Sequence, residues 1–481
     1  MLRNARLEVV FRVLPVTLLL LLGLCQAVMA QTELFAAPRR RGNGSGSSVE
    51  NAAVYTSLPL WMEVRSALQS GPVTVTFLDG EYAASDLLLI NMGHPEHRLV
   101  LQSQSPGGAV FAGPTVMRLA GVQNVTVRHF GFTGDRPNGT IHKLQVIDAL
   151  MGPGTGPGSA RGTLSHNVLI EGNYFYDSPT QYGAISIRNG SHHVTVYNNT
   201  FRNVGRGSGA HLIYNYADVH HIKVIGNHFQ DSTGDYVRFR HNADYGEVRN
   251  NTFISTDSKY NLMFVRFAVF NDVDPGDEYH ADNFLVRDNT FQFYAVNNAA
   301  TQDAVGYTST GFNPPGVNYL PTAEAGKILT TGTVEQKRQV MLETMNIDMT
   351  KVRVYNNTYI NVRYPFRLWV SADYGAKSQG WVGLIDFTGV ANDTYLGAGD
   401  TCSDGVLDEK DIELFLLALD ADDEMDFLLD NRVWFGDYQA ADINGDGKVD
   451  VNDIPAFIAQ FEPLVPTEAL EPVRQRLKAA P

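Results

Sequence analysis

The chain has 481 residues, of which 44% are hydrophobic and 10% aromatic, and its formal net charge is −15. A chain of this length and apolar content can bury a large core, which excludes a disordered protein. Residues 400–462 contain 18 acidic and 3 basic side chains, so the acidity belongs to one C-terminal segment. Because the rest of the chain is balanced in charge, the composition does not favour a nucleic-acid partner.

The first thirty residues have the pattern of a secretion signal. Three arginines precede the apolar run LPVTLLLLLGL (14–24), and small residues follow at 28–30. This run is shorter than the roughly 20 apolar residues of a spanning helix. We therefore expect a cleaved signal peptide at 1–30, no membrane span, and a secreted bacterial protein that is extracellular, periplasmic or attached to the cell surface. Cleavage would leave Cys402 alone, without an internal disulfide, and a flexible segment at 31–52 is expected to follow.

An eight-residue pattern returns through the middle of the chain, at steps of 24–28 residues before two longer ones. Each copy alternates apolar and polar residues, turns at an Asn or Gly-Asn corner, and ends on an aromatic residue. Such repeats predict an all-β solenoid, a right-handed single-stranded parallel β-helix at 53–395, with a ladder of stacked Asn residues and a stack of aromatic rings. The copies are VLIEGNYF (168–175), VTVYNNTF (194–201), IKVIGNHF (222–229), GEVRNNTF (246–253), FLVRDNTF (284–291) and VRVYNNTY (352–359).

Two segments interrupt or close this pattern. LPLWMEVRSALQ (58–69) reads as an amphipathic helix that covers the first coil. The segment 299–350 is an insertion, rich in Gly, Pro and Thr as far as Gly332 and predicted to be helical at 334–345. An insertion of this kind either walls a binding groove or covers the last coils, and the sequence leaves both alternatives open.

The acidic segment contains two loops with the spacing of calcium ligands. DINGDGKVDVND (442–453) places carboxylate and amide oxygens at loop positions 1, 3, 5, 9 and 12, with Gly447 at position 6, a spacing that suits Ca²⁺. DTCSDGVLDEKD (400–411) repeats the spacing, although Cys402 occupies its third position. The predicted ligands are Asp442, Asn444, Asp446, Lys448, Asp450 and Asp453 in one loop and Asp400, Asp404, Asp408 and Asp411 in the other.

These loops, each followed by an apolar stretch, resemble the dockerin type I module. The resemblance implies a small α-helical, EF-hand-like domain at 396–463, bound Ca²⁺ and a cohesin-type protein partner, with a tail at 464–481. The alternative is an acidic pair of surface helices without metal.

The body of the chain resembles the pectin-lyase-like superfamily, and most closely the chondroitinase-B and alginate lyases of polysaccharide lyase family six. The stretches that carry this resemblance are LDGEYAASDLLL (78–89), HRLVLQSQSPGGAVFAG (97–113) and FRHNADYGEVRNNTF (239–253). The resemblance implies that Arg240 is the catalytic arginine and His241 its neighbour. The family also has a Lys-Ser pair one coil earlier, whereas the corresponding stretch HLIYNYADVHH (211–221) contains no Lys.

Alternation along the strands predicts a basic surface independently of this resemblance. In DYVRFRHN (235–242) it directs Arg238 and Arg240 outward, and in AISIRN (184–189) it directs Ser186 and Arg188 to the same face. The register of 211–216 is ambiguous, so either His211 and Asn215 or Tyr214 and Tyr216 join the surface. The candidate catalytic residues are Arg240, His211, Tyr214 and His241, and the candidate substrate-binding residues are Arg238, Arg188 and Asn215.

Three functions fit these residues. A monomeric polysaccharide lyase would cleave an acidic, uronate-containing polysaccharide by β-elimination, with arginines or Ca²⁺ in the groove neutralising the carboxylate. A glycoside hydrolase would need a pair of carboxylates, for which the nearby candidates are Asp231, Asp235, Asp244 and Glu247. A glycan-binding or cell-surface scaffold would need only the groove and the acidic tail.

Overall fold

The computed structural model describes residues 31–134, 142–150, 162–179, 182–206, 210–256, 263–269, 283–294, 303–309, 322–345, 348–370, 383–386 and 397–479. The expected signal peptide at 1–30 lies outside these residues. Within them, every helix is too short or too polar to span a bilayer.

Three long sheets, named A, B and C, form the walls of a parallel β-helix, as the repeats predict. Strands are numbered in chain order and pair in parallel, except that β29 and β30 are antiparallel. Sheet A contains β1 (Thr32–Ala37), β2 (Ala53–Val54), β3 (Val73–Phe77), β6 (Leu99–Ser103), β9 (Gln123–Arg128), β12 (His166–Glu171), β15 (His192–Tyr197), β18 (His220–Ile225), β21 (Asp244–Arg249), β24 (Phe284–Arg287) and β27 (Val352–Tyr355). Sheet B contains β4 (Gly80–Tyr82), β7 (Ala109–Phe111), β10 (Gly131–Thr133), β13 (Tyr174–Ser178), β16 (Thr200–Val204), β19 (His228–Ser232), β22 (Thr252–Ser255), β25 (Thr290–Phe293) and β28 (Thr358–Ile360). Sheet C contains β5 (Leu87–Ile90), β8 (Met117–Ala120), β11 (Leu144–Ile147), β14 (Gly183–Arg188), β17 (His211–Tyr216), β20 (Asp235–Arg240), β23 (Met263–Val269), β26 (Asp303–Ser309), β29 (Tyr364–Val370) and β30 (Gly383–Asp386).

The described helices lie at the ends of the β-helix and beside it. They are α1 (Leu58–Ala67), α2 (Ala323–Thr331), α3 (Val334–Met345), α4 (Glu409–Asp420), α5 (Glu424–Leu429), α6 (Ile454–Phe461) and α7 (Glu471–Ala479), with 3₁₀ turns at Met349–Lys351, Gln439–Ala441 and Thr467–Leu470.

The corner between sheets A and B is built from two residues with separate roles. The ladder Asn of each coil accepts, on its side-chain oxygen, the backbone N–H of the preceding ladder Asn at 2.8–3.0 Å and its side-chain amide at 2.9–3.0 Å. The residue before it takes the left-handed backbone conformation, with φ between 50° and 67°. The sequence had predicted one Asn for both tasks, and the structure divides them. The ladder residues are Asn173, Asn199, Asn227, Asn251, Asn289 and Asn357, and the left-handed residues are Gly172, Asn198, Gly226, Asn250, Asp288 and Asn356.

The aromatic residue that follows each corner returns to the interior and stacks on its counterpart in the next coil, as predicted. Successive ring centroids lie 4.7–5.8 Å apart, with interplanar angles of 3–13°. Offset stacking of this kind adds about 0.5–1.5 kcal/mol per pair beyond the burial of apolar area. The stack runs through Phe132, Phe175, Phe201, Phe229, Phe253, Phe291 and Tyr359.

The N-terminal end of the β-helix is closed by α1, which lies within the helix predicted at 58–69. Leu60, Trp61 and Val64 are its buried residues, and the Trp61 ring packs against Phe77. The segment 31–52, by contrast, is not the flexible leader that the sequence indicated. Its residues Thr32–Ala37 form β1, which pairs with both β2 and β3 because its apolar residues extend the core of sheet A.

The insertion begins later than predicted. Residues 303–309, which the prediction placed inside the insertion, form β26 and continue sheet C between β23 and β29. The helix expected at 334–345 is confirmed as α3. A second helix, α2, occupies part of the segment read as Gly/Pro/Thr-rich loop, with Thr322 as its N-cap and Leu329 buried in the main core.

The C-terminal residues 397–479, here called the helical unit, have their own apolar core. The Phe415 and Phe457 rings stack with their centroids 3.9 Å apart. The segment 464–481 had been assigned to a tail. Its residues Leu470 and Val473 are buried in this core, so 467–479 belongs to the helical unit.

The helical unit covers sheet A through charged side chains on successive coils. The Lys223 ammonium donates to the carbonyls of Leu428 at 2.5 Å and Val433 at 2.7 Å. Further along the sheet, Arg249 pairs with Glu424 at 3.2 Å, Arg287 with Asp437 at 3.2 Å, and Arg353 donates to the carbonyl of Ser403. The helical unit is therefore packed against the β-helix.

Candidate functional site

The outward face of sheet C carries the predicted basic residues. In β20, Val237 and Phe239 belong to the core, so Arg238 and Arg240 project from the opposite side of the strand. Arg266 of β23 lies beside Arg238 in register. All three arginines are largely buried, with 6–8% of their surface exposed. They are therefore held in place rather than freely solvated.

The register of β17 settles which residues join this face. Tyr214 pairs with Ser186 and Arg238, whereas Tyr216 pairs with Arg188 and Arg240. Both tyrosines are half-buried. The second alternative left open by the sequence is therefore the observed one. We call Arg188, Tyr214, Tyr216, Arg238, Arg240 and Arg266 the arginine–tyrosine cluster.

Asn215 does not belong to this cluster, contrary to its assignment as a substrate-binding residue. It pairs with Ile187 and Phe239, is fully buried, and faces the interior of the β-helix. Its neighbours in the ladder, Ile187 and Phe239, are apolar core residues.

The buried carboxylate of Asp235 organises three of the basic groups. One of its oxygens lies 3.3 Å from the Arg266 guanidinium, 3.6 Å from that of Arg238 and 3.7 Å from Nδ1 of His211. Two arginines that face one another across neighbouring coils repel, and the shared carboxylate offsets that repulsion. Burial and the nearby Arg266 lower the pKa of Arg238 to about 10, so it remains charged at neutral pH.

His211 lies at the edge of this face but cannot serve as an open base. Its Nε2 is 2.7 Å from a guanidinium nitrogen of Arg238. Since arginine only donates, Nε2 must accept, and the ring proton sits on Nδ1, toward Asp235. Burial and the neighbouring Arg238 hold the pKa of His211 well below its usual value. His211 is 3% exposed, so it is placed to hold the Arg238 guanidinium in position.

Tyr216, Arg240 and His241 form the second part of the site. The Tyr216 and His241 rings lie 4.4 Å apart, and the Arg240 guanidinium lies 5.8 Å from the centre of the Tyr216 ring. His241 is buried and ends β20 in the left-handed conformation, with φ of 55°. The structure therefore brings Arg240 and His241 together with a tyrosine from the preceding coil.

Sequence reasoning missed several residues of this face. His142 stacks near Tyr214, and burial and Arg188 lower its pKa to about 3. Arg367 binds Asp303 at 2.5 Å, two coils beyond Arg266. The segment MFVRFAV (263–269) repeats the alternation of DYVRFR, and this pattern could have identified Arg266.

The four carboxylates considered for a hydrolase do not converge. Asp244 and Glu247 belong to β21 in sheet A, Asp231 to β19 in sheet B, and only Asp235 lies in sheet C. Glu247 is fully buried and pairs with Arg249 at 2.8 Å. Among the described residues of sheet C, no three His, Cys, Asp or Glu ligand atoms lie within 4.8 Å of one another.

The second acidic loop is held by hydrogen bonds between its carboxylates and its own backbone. Asp442 accepts the backbone N–H groups of Asp446 and Gly447, and Asp453 accepts those of Asn444 and Asp450, at 2.8–3.1 Å. Gly447 has φ of 86° at the sharp turn. The carboxylate and amide oxygens of this loop are the hard ligands that Ca²⁺ prefers, so the residues present fit Ca²⁺.

The first acidic loop has a similar backbone but a different donor set. Asp400 accepts from Asp404 and Gly405, and Asp411 from Cys402 and Asp408, at 2.9–3.1 Å. Burial and the adjacent Asp411 raise the pKa of Asp400 to about 6. The Lys410 ammonium lies 2.8 Å from Asp404. A thiol at the third position and a lysine on Asp404 fit Ca²⁺ less well than the second loop does.

Comparisons with known proteins give few matches. No protein-family model matches the chain, and no curated protein matches it. Among solved structures, a mannuronic acid specific polysaccharide family 6 lyase enzyme from human gut microbiota is 14% identical, with a TM-score of 0.25, over 58% of this chain and 80% of the other. A mutant of the PL6 family alginate lyase AlyGC is 9% identical, with a TM-score of 0.17, over 53% of this chain and 51% of the other.

Proposed function

We propose that the arginine–tyrosine cluster binds an acidic, uronate-containing polysaccharide and cleaves it by β-elimination. The observation that carries the proposal is the register of β14, β17 and β20, which sets Tyr216 between Arg188 and Arg240. Guanidinium groups suit planar carboxylates, and tyrosine rings suit the apolar faces of sugars.

The elimination needs three tasks from the protein. A cation must stabilise the negative charge that develops on the uronate carboxylate, a base must remove the proton from C5, and an acid must protonate the leaving oxygen as the C4–O bond breaks. Arg240 and Arg238 are the groups for the first task. The C4=C5 double bond that forms is the product's signature.

Tyr216 and Tyr214 are the candidates for proton transfer. Tyr216 lies in register with Arg240, one coil before it, which is the coil where the resembling family carries a lysine. A tyrosine next to a guanidinium can transfer protons in both directions, as phenolate and as phenol. His211 is assigned the positioning of Arg238, because its accepting nitrogen is already engaged.

The rest of the proposal concerns the whole chain. We infer that it is secreted by a bacterium and acts as a monomer, and that the helical unit binds Ca²⁺ through its second loop. A cohesin-type partner for the helical unit follows from its sequence resemblance to dockerin type I.

The decisive experiment follows ultraviolet absorbance of the purified protein on a panel of uronans, in Ca²⁺ and in chelator. We expect rising absorbance on at least one substrate, with kcat lowered roughly 10²–10⁴-fold in Tyr216→Phe and strongly lowered in Arg240→Lys. A matched control, Tyr174→Phe, changes an exposed tyrosine of sheet B and should leave the rate unchanged. Reducing ends without absorbance would indicate a hydrolase, and binding without cleavage would indicate a scaffold.

A further inference from the structure

A block of four histidines lies on sheet A, apart from the arginine–tyrosine cluster and the acidic loops. His192 and His193 begin β15, His220 and His221 begin β18, and His192 pairs with His220 in register. The His192 and His220 rings stack with centroids 4.7 Å apart, and the His193 and His221 rings at 4.6 Å. All four side chains are partly buried.

The backbone does not require histidine in this block. His193 and His221 have φ of 50° and 55°, a left-handed conformation. The same ladder position is Asn167 in the coil before, Tyr245 in the coil after and Asn283 two coils after, all left-handed. Asn is the ordinary solution because its short polar side chain tolerates this conformation. Two histidines there, each beside another histidine, indicate a role for the imidazole.

The nitrogen atoms converge within the block. Nδ1 of His192 lies 2.7 Å from Nδ1 of His193, and Nδ1 of His220 lies 2.6 Å from Nδ1 of His221. Ligand atoms of His192, His193 and His220 all lie within 4.8 Å of one another. Zn–N bonds are about 2.0–2.1 Å long, so two nitrogens on one ion lie at most about 4.2 Å apart. Small side-chain rotations would therefore bring these atoms onto one ion.

The electrostatics of the block suit a metal of the zinc class. The nearby Lys223 ammonium is directed at two carbonyls of the helical unit. An all-imidazole donor set favours Zn²⁺, Ni²⁺ or Cu²⁺ over Ca²⁺.

The block also has an unsatisfied group. The buried Nε2 of His221 has no hydrogen-bond partner among the described residues. Its ring packs edge-on against Trp434 of the helical unit, with the centroids 5.1 Å apart. The block therefore lies where the helical unit meets sheet A.

We propose that His192, His193 and His220 bind one transition-metal ion, with His221 drawn in through its contact with His220, and that this ion fastens two coils of sheet A beside the helical unit. In the metal-free protein, each pair shares one proton between its two Nδ1 atoms. When Nδ1 binds the metal, its proton moves to Nε2 of the same ring, so each imidazole stays neutral while the ion joins the two pairs across the coils. This site is independent of the proposed lyase activity.

The test titrates the full-length, tag-free chain, saturated with Ca²⁺, with Zn²⁺ by calorimetry and with Cu²⁺ by electron paramagnetic resonance. We expect one Zn²⁺ per chain and nitrogen splitting in the Cu²⁺ spectrum. The double variant His193→Asn with His221→Asn should weaken Zn²⁺ binding at least tenfold. This double variant places Asn at the position where other coils of sheet A have Asn167 and Asn283.

Two further variants keep the outcome decisive. His192→Gln places at this position the residue that Gln123 provides two coils earlier, and it should also weaken binding. His228→Gln on sheet B and Cys402→Ser in the first acidic loop should bind Zn²⁺ like the unaltered chain. Absence of Zn²⁺ binding by the unaltered chain would overturn the proposal. So would a double variant and a His192→Gln variant that both bind Zn²⁺ as tightly as the unaltered chain.

Discussion

Lys223 is the residue on which the attachment of the helical unit can be tested most directly. It is 5% exposed, and its ammonium donates to two carbonyls of the helical unit at 2.5 and 2.7 Å. Lys223→Met keeps most of the apolar volume and removes the charge. Both carbonyls then lose a buried donor, and Glu247, which pairs with Lys223 in register, loses a nearby cation.

The expected loss of stability in Lys223→Met follows from these contacts. Two hydrogen bonds from a charged donor contribute about 3–6 kcal/mol. Burial lowers the pKa of Lys223 to about 8, which shows that desolvation offsets part of this gain. Because the two carbonyls stay buried without a donor, we expect a net loss of about 2–4 kcal/mol in the free energy of unfolding.

The assay is urea unfolding followed by circular dichroism at 222 nm, where the helices contribute most. The control is Lys478→Met, since the Lys478 side chain is 73% exposed and its ammonium lies 3.7 Å from Glu471. The reasoning would be refuted if Lys223→Met unfolded at the same urea concentration as Lys478→Met.

Three further predictions concern the Asn ladder, His142 beside sheet C, and the acidic loops. Asn227→Ala removes a buried amide that bonds to Asn199, Asn251 and two backbone carbonyls. We therefore expect the free energy of unfolding, measured with denaturant, to fall by about 2–4 kcal/mol. A fall below about 1 kcal/mol would contradict a stabilising role for the ladder. The pKa of His142 is about 3 in the folded protein and about 6.5 when unfolded, so the unfolded chain binds more protons between these values and the melting temperature should fall as the pH drops from 6.5 toward 3. A His142→Phe variant should show a shallower fall, and an unchanged profile would be inconsistent with this assignment. Chelation of Ca²⁺ should lower the melting temperature of the helical unit, and Asp453→Asn in the second loop should reduce this effect more than Asp404→Asn in the first. Equal effects from both variants would contradict the difference between the loops.

Much of the β-helix could be predicted because its rules are local. Alternation of apolar residues places Val237 and Phe239 inside, and the Asn corner recurs with its aromatic residue in every copy. The register of β17 could not be predicted, because two successive left-handed residues, Ala217 and Asp218, follow it and alternation alone does not fix where the strand begins. A shift of one residue in the register of β17 would place Asn215 instead of Tyr216 on the outer face.

Contacts between segments that are distant in sequence account for the other differences between the predictions and the structure. Lys223, Glu247 and Arg249 alternate along their strands with the core residues Val224 and Val248. They are buried because the helical unit covers them, and no local periodicity encodes that cover. The same reason explains the last helix, whose Val473 completes a core that begins some 60 residues earlier at Phe415.

The placement of the helical unit on sheet A also makes the molecule electrically polar across its width. The segment with 18 acidic and 3 basic residues covers one wall, while the arginines lie on another, sheet C. The acidic polysaccharide proposed as substrate would be repelled by the first wall and attracted by the second, and would therefore meet the protein in a preferred orientation. Such guidance acts over about 8 Å at physiological ionic strength, and it should therefore appear as an association rate that falls steeply as salt is added.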